Sequence, residues 1–146
     1  MLSKKAKYGL KATFYLARNY GKGPMLIADL AEKEHVPKKF LELILLELKR
    51  HGILISKMGK GGGYSLTRSP DKIFVGQIVR ILDGPLAPVP CVSKTAYQRC
   101  AECDNEKTCE IRKIMLQVRD ASATILDYTS LTDASKALFE VIKKSK

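Results

Sequence analysis

The chain predicts a mostly α-helical fold with one small β-hairpin, arranged as a winged helix-turn-helix and followed by a long C-terminal helix. Three observations predict it. Leu41, Ile44, Leu45 and Leu48 recur at i, i+3, i+4 and i+7, the apolar face of one helix. Just beyond them, Ile53 to Lys57 and Tyr64 to Thr67 flank the run Gly59-Lys60-Gly61-Gly62-Gly63, a glycine-tipped hairpin. After Cys109, the residues Ile111, Ile114, Val118, Ala121, Ile125 and Tyr128 follow 3-4-3-4-3 spacing, a narrow seam that needs a partner helix.

Taken in order, Ser3 is a good N-cap for a first helix running to about Tyr20, with Ala6, Leu10, Thr13 or Phe14, and Ala17 inward. Gly21-Lys22-Gly23-Pro24 breaks the chain, and Ile27 to Glu34 forms a second helix with Ile27, Leu30 and Ala31 inward. His35 occupies the turn, where a positive φ is tolerated by His better than by most residues. Pro37 suits the first position of the third helix, since its missing N–H has no partner there. His51 reads as a C-terminal cap, with Gly52 in the left-handed position that follows. Both histidines thus read as turn and cap residues, not as ligands. Ser69-Pro70-Asp71 closes the hairpin, and Val75 to Leu82 forms a fourth helix ended by Asp83-Gly84-Pro85. Pro85, Pro88 and Pro90 lead into a loop without helical or strand periodicity. Leu131-Thr132-Asp133 opens a last helix through Leu138, Phe139, Val141 and Ile142, able to fold back over the unit, with a frayed tail after it. Three regions follow: a DNA-binding domain over 1–84, a cysteine-rich sensor loop over 85–110, and a dimerisation helix with C-terminal helix over 111–146.

The net charge of +11 is concentrated. Residues 1–68 hold 14 Lys and Arg against 5 Asp and Glu, a net +9, whereas residues 69–146 hold 12 against 10, a net +2. Such charge on the helix-hairpin half favours a polyanionic partner over an ordinary solvated surface. Lys4, Lys5 and Lys7 crowd a helix start, where they oppose the helix dipole; a phosphate clamp explains them better than a screened surface cluster. A polar helix start beside a basic hairpin is what a winged helix presents to DNA, the helix in the major groove and the wing along the backbone or minor groove. The start of the chain shows no apolar leader and no long apolar run occurs, so the expectation is a cytoplasmic protein with no membrane partner. No glycine motif opens a helix, and the CxxC pair Cys100 to Cys103 lacks a strand-helix-strand setting. The chain is therefore expected not to be an enzyme, the thiol oxidoreductase being the less favoured reading.

All four cysteines, Cys91, Cys100, Cys103 and Cys109, fall in one window, spaced C-x8-C-x2-C-x5-C. Clustered cysteines in a basic intracellular protein point to metal or redox chemistry. An iron–sulfur cluster, a four-thiolate zinc site and a metal-free thiol switch all remain open. The cluster is favoured by the ligand count and by Cys109 at a helix start, where the dipole favours a thiolate. Zinc is disfavoured by the single CxxC knuckle.

Lys7-Tyr8-Gly9-Leu10-Lys11-Ala12, Ile27-Ala28-Asp29-Leu30-Ala31, Phe40-Leu41-Glu42, the wing Gly59 to Leu66 and the following Val75-Gly76-Gln77-Ile78 together resemble the Rrf-two family of bacterial winged-helix regulators, which includes the IscR-like and NsrR-like sensors. The resemblance spans almost the whole chain. It implies a bacterial, homodimeric transcriptional regulator of a pseudo-palindromic double-stranded operator, sensing iron, redox or nitric oxide status through a 2Fe–2S or 4Fe–4S cluster. It implies DNA contacts from Pro37, Lys39, Phe40 and Glu42, the last reading a base by accepting from a cytosine amino group, and minor-groove contacts from Lys60 and Gly61. With the flanking residues, the candidate DNA-binding set is Lys4, Lys7, Tyr8, Pro37, Lys38, Lys39, Phe40, Glu42, Lys57, Lys60, Gly61, Gly62 and Tyr64. Cluster-binding members typically space their cysteines C-x5-C-x5-C, so here only the interval from Cys103 to Cys109 matches. Arg112 stands where one subgroup has a ligand His. Cys103 and Cys109 are the strongest candidate ligands, with Cys100 and Cys91 as ligands or exchangeable thiols.

Overall fold

The computed structural model describes residues 2–145, the side chains of 138–142 lying outside the described set, and with them the expected inward positions Leu138, Phe139, Val141 and Ile142. The first helix, α1 (Lys4–Arg18), begins as expected at Ser3, whose Oγ accepts the Ala6 N–H at 3.0 Å. The Ser3 N–H donates to Asp83 at 2.9 Å, fixing this start against the end of a later helix, α4 (Val75–Asp83). α1 is shorter than its pattern implied and buried over a wider arc. Gly9, Ala12 and Leu16 are buried alongside the expected Ala6, Leu10 and Thr13, while Phe14 and Ala17 are only half-buried. The reason is its central place, with other helices packed on several sides. Small residues at Gly9 and Ala12 carry no apolar signal but permit that approach; a Cβ on Gly9 would press into Leu82 and reach Ile44 at 3.3 Å. The buried Thr13 hydroxyl is satisfied by the Leu10 carbonyl at 3.1 Å, which removes the cost of leaving it unpaired.

α2 (Ile27–Glu34) and α3 (Lys38–Arg50) form the helix-turn-helix. His35 turns the chain at φ 54° and ψ 47°, and the Val36 N–H closes on the Ala31 carbonyl at 3.0 Å. Pro37 precedes the first helical residue instead of occupying it: it is the N-cap, and its carbonyl takes the Leu41 N–H at 2.9 Å. Either place suits a residue without an N–H to satisfy. Leu41, Ile44, Leu45 and Leu48 are all buried, as the spacing predicted. After Gly52, β1 (Leu54–Lys57) pairs antiparallel with β2 (Gly63–Leu66), Leu54 opposite Leu66 and Lys57 opposite Gly63. The second strand thus starts one residue earlier than expected. Its neighbour explains why: Met25 forms a bridge with Tyr64, the two exchanging backbone hydrogen bonds of 2.9 and 2.8 Å. The wing is therefore anchored to the segment entering α2.

The core joins α1, α3, α4 and the hairpin, and takes in Leu131 at the start of α6 (Leu131–Lys144). α6 continues through residues expected to fray. Ser130 and Asp133 cap it reciprocally, with bonds of 3.0 and 3.1 Å, and the Leu131 N–H donates to the Ile73 carbonyl at 2.9 Å. α6 folds back against α1, as expected. Before it runs α5 (Glu110–Tyr128), of which no residue is fully buried. Ile111, Ile114, Val118, Ala121, Ile125 and Tyr128 all lie exposed along it. Between α4 and α5 the cysteine loop holds one short 3-10 turn, Pro90–Val92, in a stretch that sequence periodicity left unstructured.

Candidate nucleic-acid interface and cysteine loop

The exposed face of α3 and the wing form two walls of one groove of about 520 Å³. Lys38, Glu42 and Lys49 line it from α3, and Lys57, Gly62 and Tyr64 from the hairpin. The walls are held in place by their own interactions. The Lys49 ammonium donates to the Ser56 hydroxyl at 2.6 Å, tying α3 to β1. Lys5 pairs with Glu47 at 2.5 Å, tying α1 to α3. Tyr8 meets Phe40 edge to face, ring centroids 5.6 Å apart, so this expected pair acts as one apolar corner beside α3.

Lys4, Lys7, Pro37, Lys38, Lys39, Phe40, Glu42, Lys57, Lys60 and Gly61 are all exposed, as a binding surface requires. Tyr8 and Tyr64 are half-buried. Gly62 is buried: a Cβ there would collide with the Lys57 carbonyl, so the residue shapes the turn. Among the groove residues outside the expected set are Lys49, Leu26 and Met58. Lys49 shares a face with Lys38 and Glu42 at helical spacing, a signal that was readable. Leu26, 54% exposed beside the groove, and Met58, 91% exposed at the wing tip, carried no polar signature to flag them.

The four cysteines are free thiols, and all four line one cavity of about 390 Å³. Among the described residues no three Cys, His or carboxylate groups stand close enough together to hold a metal in this conformation. Cys109 is the N-cap of α5, its Sγ accepting the Arg112 N–H at 3.4 Å. The Cys103 N–H donates to the Cys100 carbonyl at 3.2 Å, closing the CxxC turn. Arg99 spans the loop, donating to the carbonyls of Cys103 at 3.2 Å and Asp104 at 3.3 Å. Desolvation pushes the Cys103 thiol above its ordinary range, neighbouring Cys109 adds to this, and Arg99 opposes it. Arg112 also lines the cavity, and its buried Nε has no hydrogen-bond partner. An orphaned guanidinium N–H among four thiols suits an anionic occupant, and an iron–sulfur cluster held by thiolates is one.

Comparison with known proteins places this architecture. A family model described as Rrf2, an iron-dependent transcriptional regulator, matches residues 2–137. An rrf2-like HTH-type transcriptional regulator of Rhodobacter capsulatus is 40% identical over 136 residues, covering 91% of each chain. The HTH-type transcriptional regulator CymR of Bacillus subtilis is 32% identical over 132 residues, covering 90% of this chain and 87% of that protein. The solved structure of B. subtilis CymR, described as the global cysteine regulator, has a TM-score of 0.78 and covers 94% of this chain and 97% of its own. That of T. potens IscR has a TM-score of 0.77 at 28% identity, covering 97% and 90%. These relatives are transcriptional regulators, not enzymes. Among the described residues no helix is long and apolar enough to cross a membrane.

Proposed function

The chain belongs to the Rrf2 family of DNA-binding transcriptional regulators, and from that premise we propose that it acts as a homodimer whose operator affinity is set by an iron–sulfur cluster in the cysteine loop. The observation that carries this reading is the cavity shared by Cys91, Cys100, Cys103 and Cys109 with the orphaned Arg112 Nε.

Each part has its own support. Exposed Ile111, Ile114, Val118, Ala121, Ile125 and Tyr128 form a continuous apolar stripe, the kind of surface that marks an association site. A two-fold dimer through α5 would present two copies of α3 to successive turns of a pseudo-palindromic operator. There Glu42 accepts from a cytosine amino group, Lys38 and Lys39 hold phosphates, and Lys60 at the wing tip enters the minor groove. A bound cluster would supply a redox-active, negatively charged group. The chain's residues do the rest: the cysteine thiolates hold it, Arg99 and Arg112 offset its charge, and Cys109 at the N-cap transmits loop position to α5. Because α5 carries the dimer stripe, loop geometry would bias the dimer between DNA-competent and incompetent arrangements.

A metal-free thiol switch is the second reading. It is favoured by the exposed Cys100 beside Cys103 and by the likeness to a regulator described as governing cysteine. The test is iron, sulfide and zinc content with an absorption spectrum on anaerobically purified protein, followed by operator titration. Matched iron and sulfide, lost in Cys103→Ala and Cys109→Ala together with a change in operator affinity, is the expected result. Colourless protein whose DNA binding responds to oxidant in the wild type but not in Cys100→Ala would replace the cluster with the switch. One zinc per chain would make the loop structural.

A further inference from the structure

A second cavity, of about 270 Å³, lies where α4, the proline-rich segment and α5 meet. It does not include the cysteines or the DNA groove. Three cationic side chains, Arg80, Lys94 and Arg119, face it together with the hydroxyls of Ser93 and Thr95, against a single carboxylate, Asp127. That carboxylate is already engaged: the two terminal nitrogens of the Arg80 guanidinium donate to its two oxygens, one bond measuring 2.9 Å. Arg119 is likewise pinned. It donates to the Val92 carbonyl at 2.6 Å and to Asp120, and its side chain is only 16% exposed. Two guanidiniums are therefore held in place before any ligand arrives, and the Lys94 ammonium stands at the rim.

This arrangement selects a ligand class. The lining carries three cations against one carboxylate, and Asp120 just outside it pairs with Arg119, which leaves a net +1 with Lys94 as the cation unpaired among the described residues. Both Asp127 oxygens already accept from Arg80, so its charge is largely offset, which weakens its pull on the ammonium of a zwitterionic amino acid. The volume lies below that of pockets for drug-sized molecules, so it fits a compact species. Pre-positioned guanidiniums match the planar or tetrahedral oxygens of such groups. We propose that this cavity is an effector site for a small, multiply charged oxyanion, a phosphate-like group or a short polycarboxylate.

Its place in the fold gives it a regulatory role beyond that of the cysteine loop. Arg119, Ala123 and Asp127 lie on the side of α5 opposite Ile114, Val118 and Ile125, since at 3.6 residues per turn the two sets stand about half a turn apart. Association through the apolar stripe leaves the cavity open. A ligand spanning Arg80 of α4, Lys94 of the loop and Arg119 of α5 would tie together the three segments between the DNA-binding helices and the stripe.

The test is isothermal titration calorimetry on the full chain, with ionic strength held constant by sodium chloride and with phosphate, sulfate, succinate and citrate as titrants. The first two arms report tetrahedral oxyanions and the last two carboxylates. The DNA surface also attracts anions, so Lys60→Ala serves as the control. Saturable binding of one anion per chain in either pair is expected, weakened about fivefold or more in Lys94→Met, restored in Lys94→Arg and unchanged in Lys60→Ala. Lys94 is exposed, so its variants should keep the fold, checked by circular dichroism. Absence of saturable binding by all four anions would overturn the proposal. Binding lost in Lys60→Ala but kept in Lys94→Met would do so too, by moving the ions to the DNA face.

Discussion

Gly63→Ala tests the anchoring of the wing most severely. Gly63 opens β2 at φ 137°, a backbone conformation that L side chains rarely adopt. A Cβ there would lie directly against the Met25 carbonyl oxygen, well inside van der Waals contact, and 2.9 Å from the Leu26 nitrogen. These are backbone atoms and cannot rotate aside. The substitution must break the bridge between Met25 and Tyr64, losing two hydrogen bonds worth about 1 kcal/mol each. Strained backbone at φ > 0 adds about 1–3 kcal/mol. The total, about 3–5 kcal/mol, is a large part of what a domain this size holds in reserve. Gly61 provides the comparison. Its φ is 72°, but nothing lies within 4 Å of a Cβ there, so Gly61→Ala should cost only the left-handed penalty of about 1–2 kcal/mol. Urea unfolding followed by circular dichroism measures both, and an operator titration reports whether the wing still functions. If Gly63→Ala stays within about 1 kcal/mol of wild type, or costs no more than Gly61→Ala, the backbone collision does not govern wing placement.

The other expectations concern single side chains. Lys38→Ala should weaken operator binding evenly across sequences and reduce the steepness of its salt dependence by about 0.9, since one phosphate is no longer neutralised; an unchanged slope would show that Lys38 does not reach the DNA backbone. Glu42→Ala should relax preference at one base pair per half-site by about 1–3 kcal/mol, read by competition with variant operators. Ile114→Asp places a charge in the exposed stripe of α5 and should yield monomer in analytical ultracentrifugation; an undisturbed dimer would locate the interface elsewhere. Arg80→Ala probes the tie between α4 and α5. The hydrogen bond from Arg80, chiefly, holds the Asp127 carboxyl below its ordinary value of 3.8, with smaller help from the charges of Arg80 and Lys94. A depressed folded value stabilises the protein above the unfolded one, and the gain is lost as pH falls through the folded value. Both side chains are more than a third exposed, so at pH 7 the variant should lose under about 1 kcal/mol. The gap to wild type should close below pH 3.8, in urea titrations run at both ends.

Much of this architecture is legible in the sequence because helical burial is periodic. The span of α2 follows directly from Ile27 to Glu34, and the four buried positions of α3 follow from their spacing. Periodicity fails where small residues do the packing. Gly9 and Ala12 read as neutral, yet α1 is buried through them because its neighbours approach from several sides. It fails again where pairing is non-local: Met25 follows a glycine- and proline-rich break, and nothing local reveals that it pairs with Tyr64. The polar residues of the candidate groove could be read as charged types at a helix start and wing tip, whereas Leu26 and Met58 could not. In the loop the cysteines announce themselves by type. Their shared cavity, and the second one formed by Arg80, Lys94 and Arg119, depend on how distant segments meet.

The bridge from Met25 to Tyr64 also bears on how such a regulator can change its target over generations. With β1 paired to β2 and β2 held to the entry of α2, a substitution in the body of the hairpin disturbs the seating of the helix-turn-helix as well as the wing. In the span 58–61, beyond the paired strands, Gly59 and Gly61 are held to glycine by positive φ, whereas the exposed Met58 and Lys60 are at liberty to vary alone. Drift in minor-groove preference should therefore accumulate at Met58 and Lys60, while new major-groove preferences must arise on α3 itself. Operator divergence among descendants of this chain would then proceed along two separable tracks, one at each end of an inherited frame.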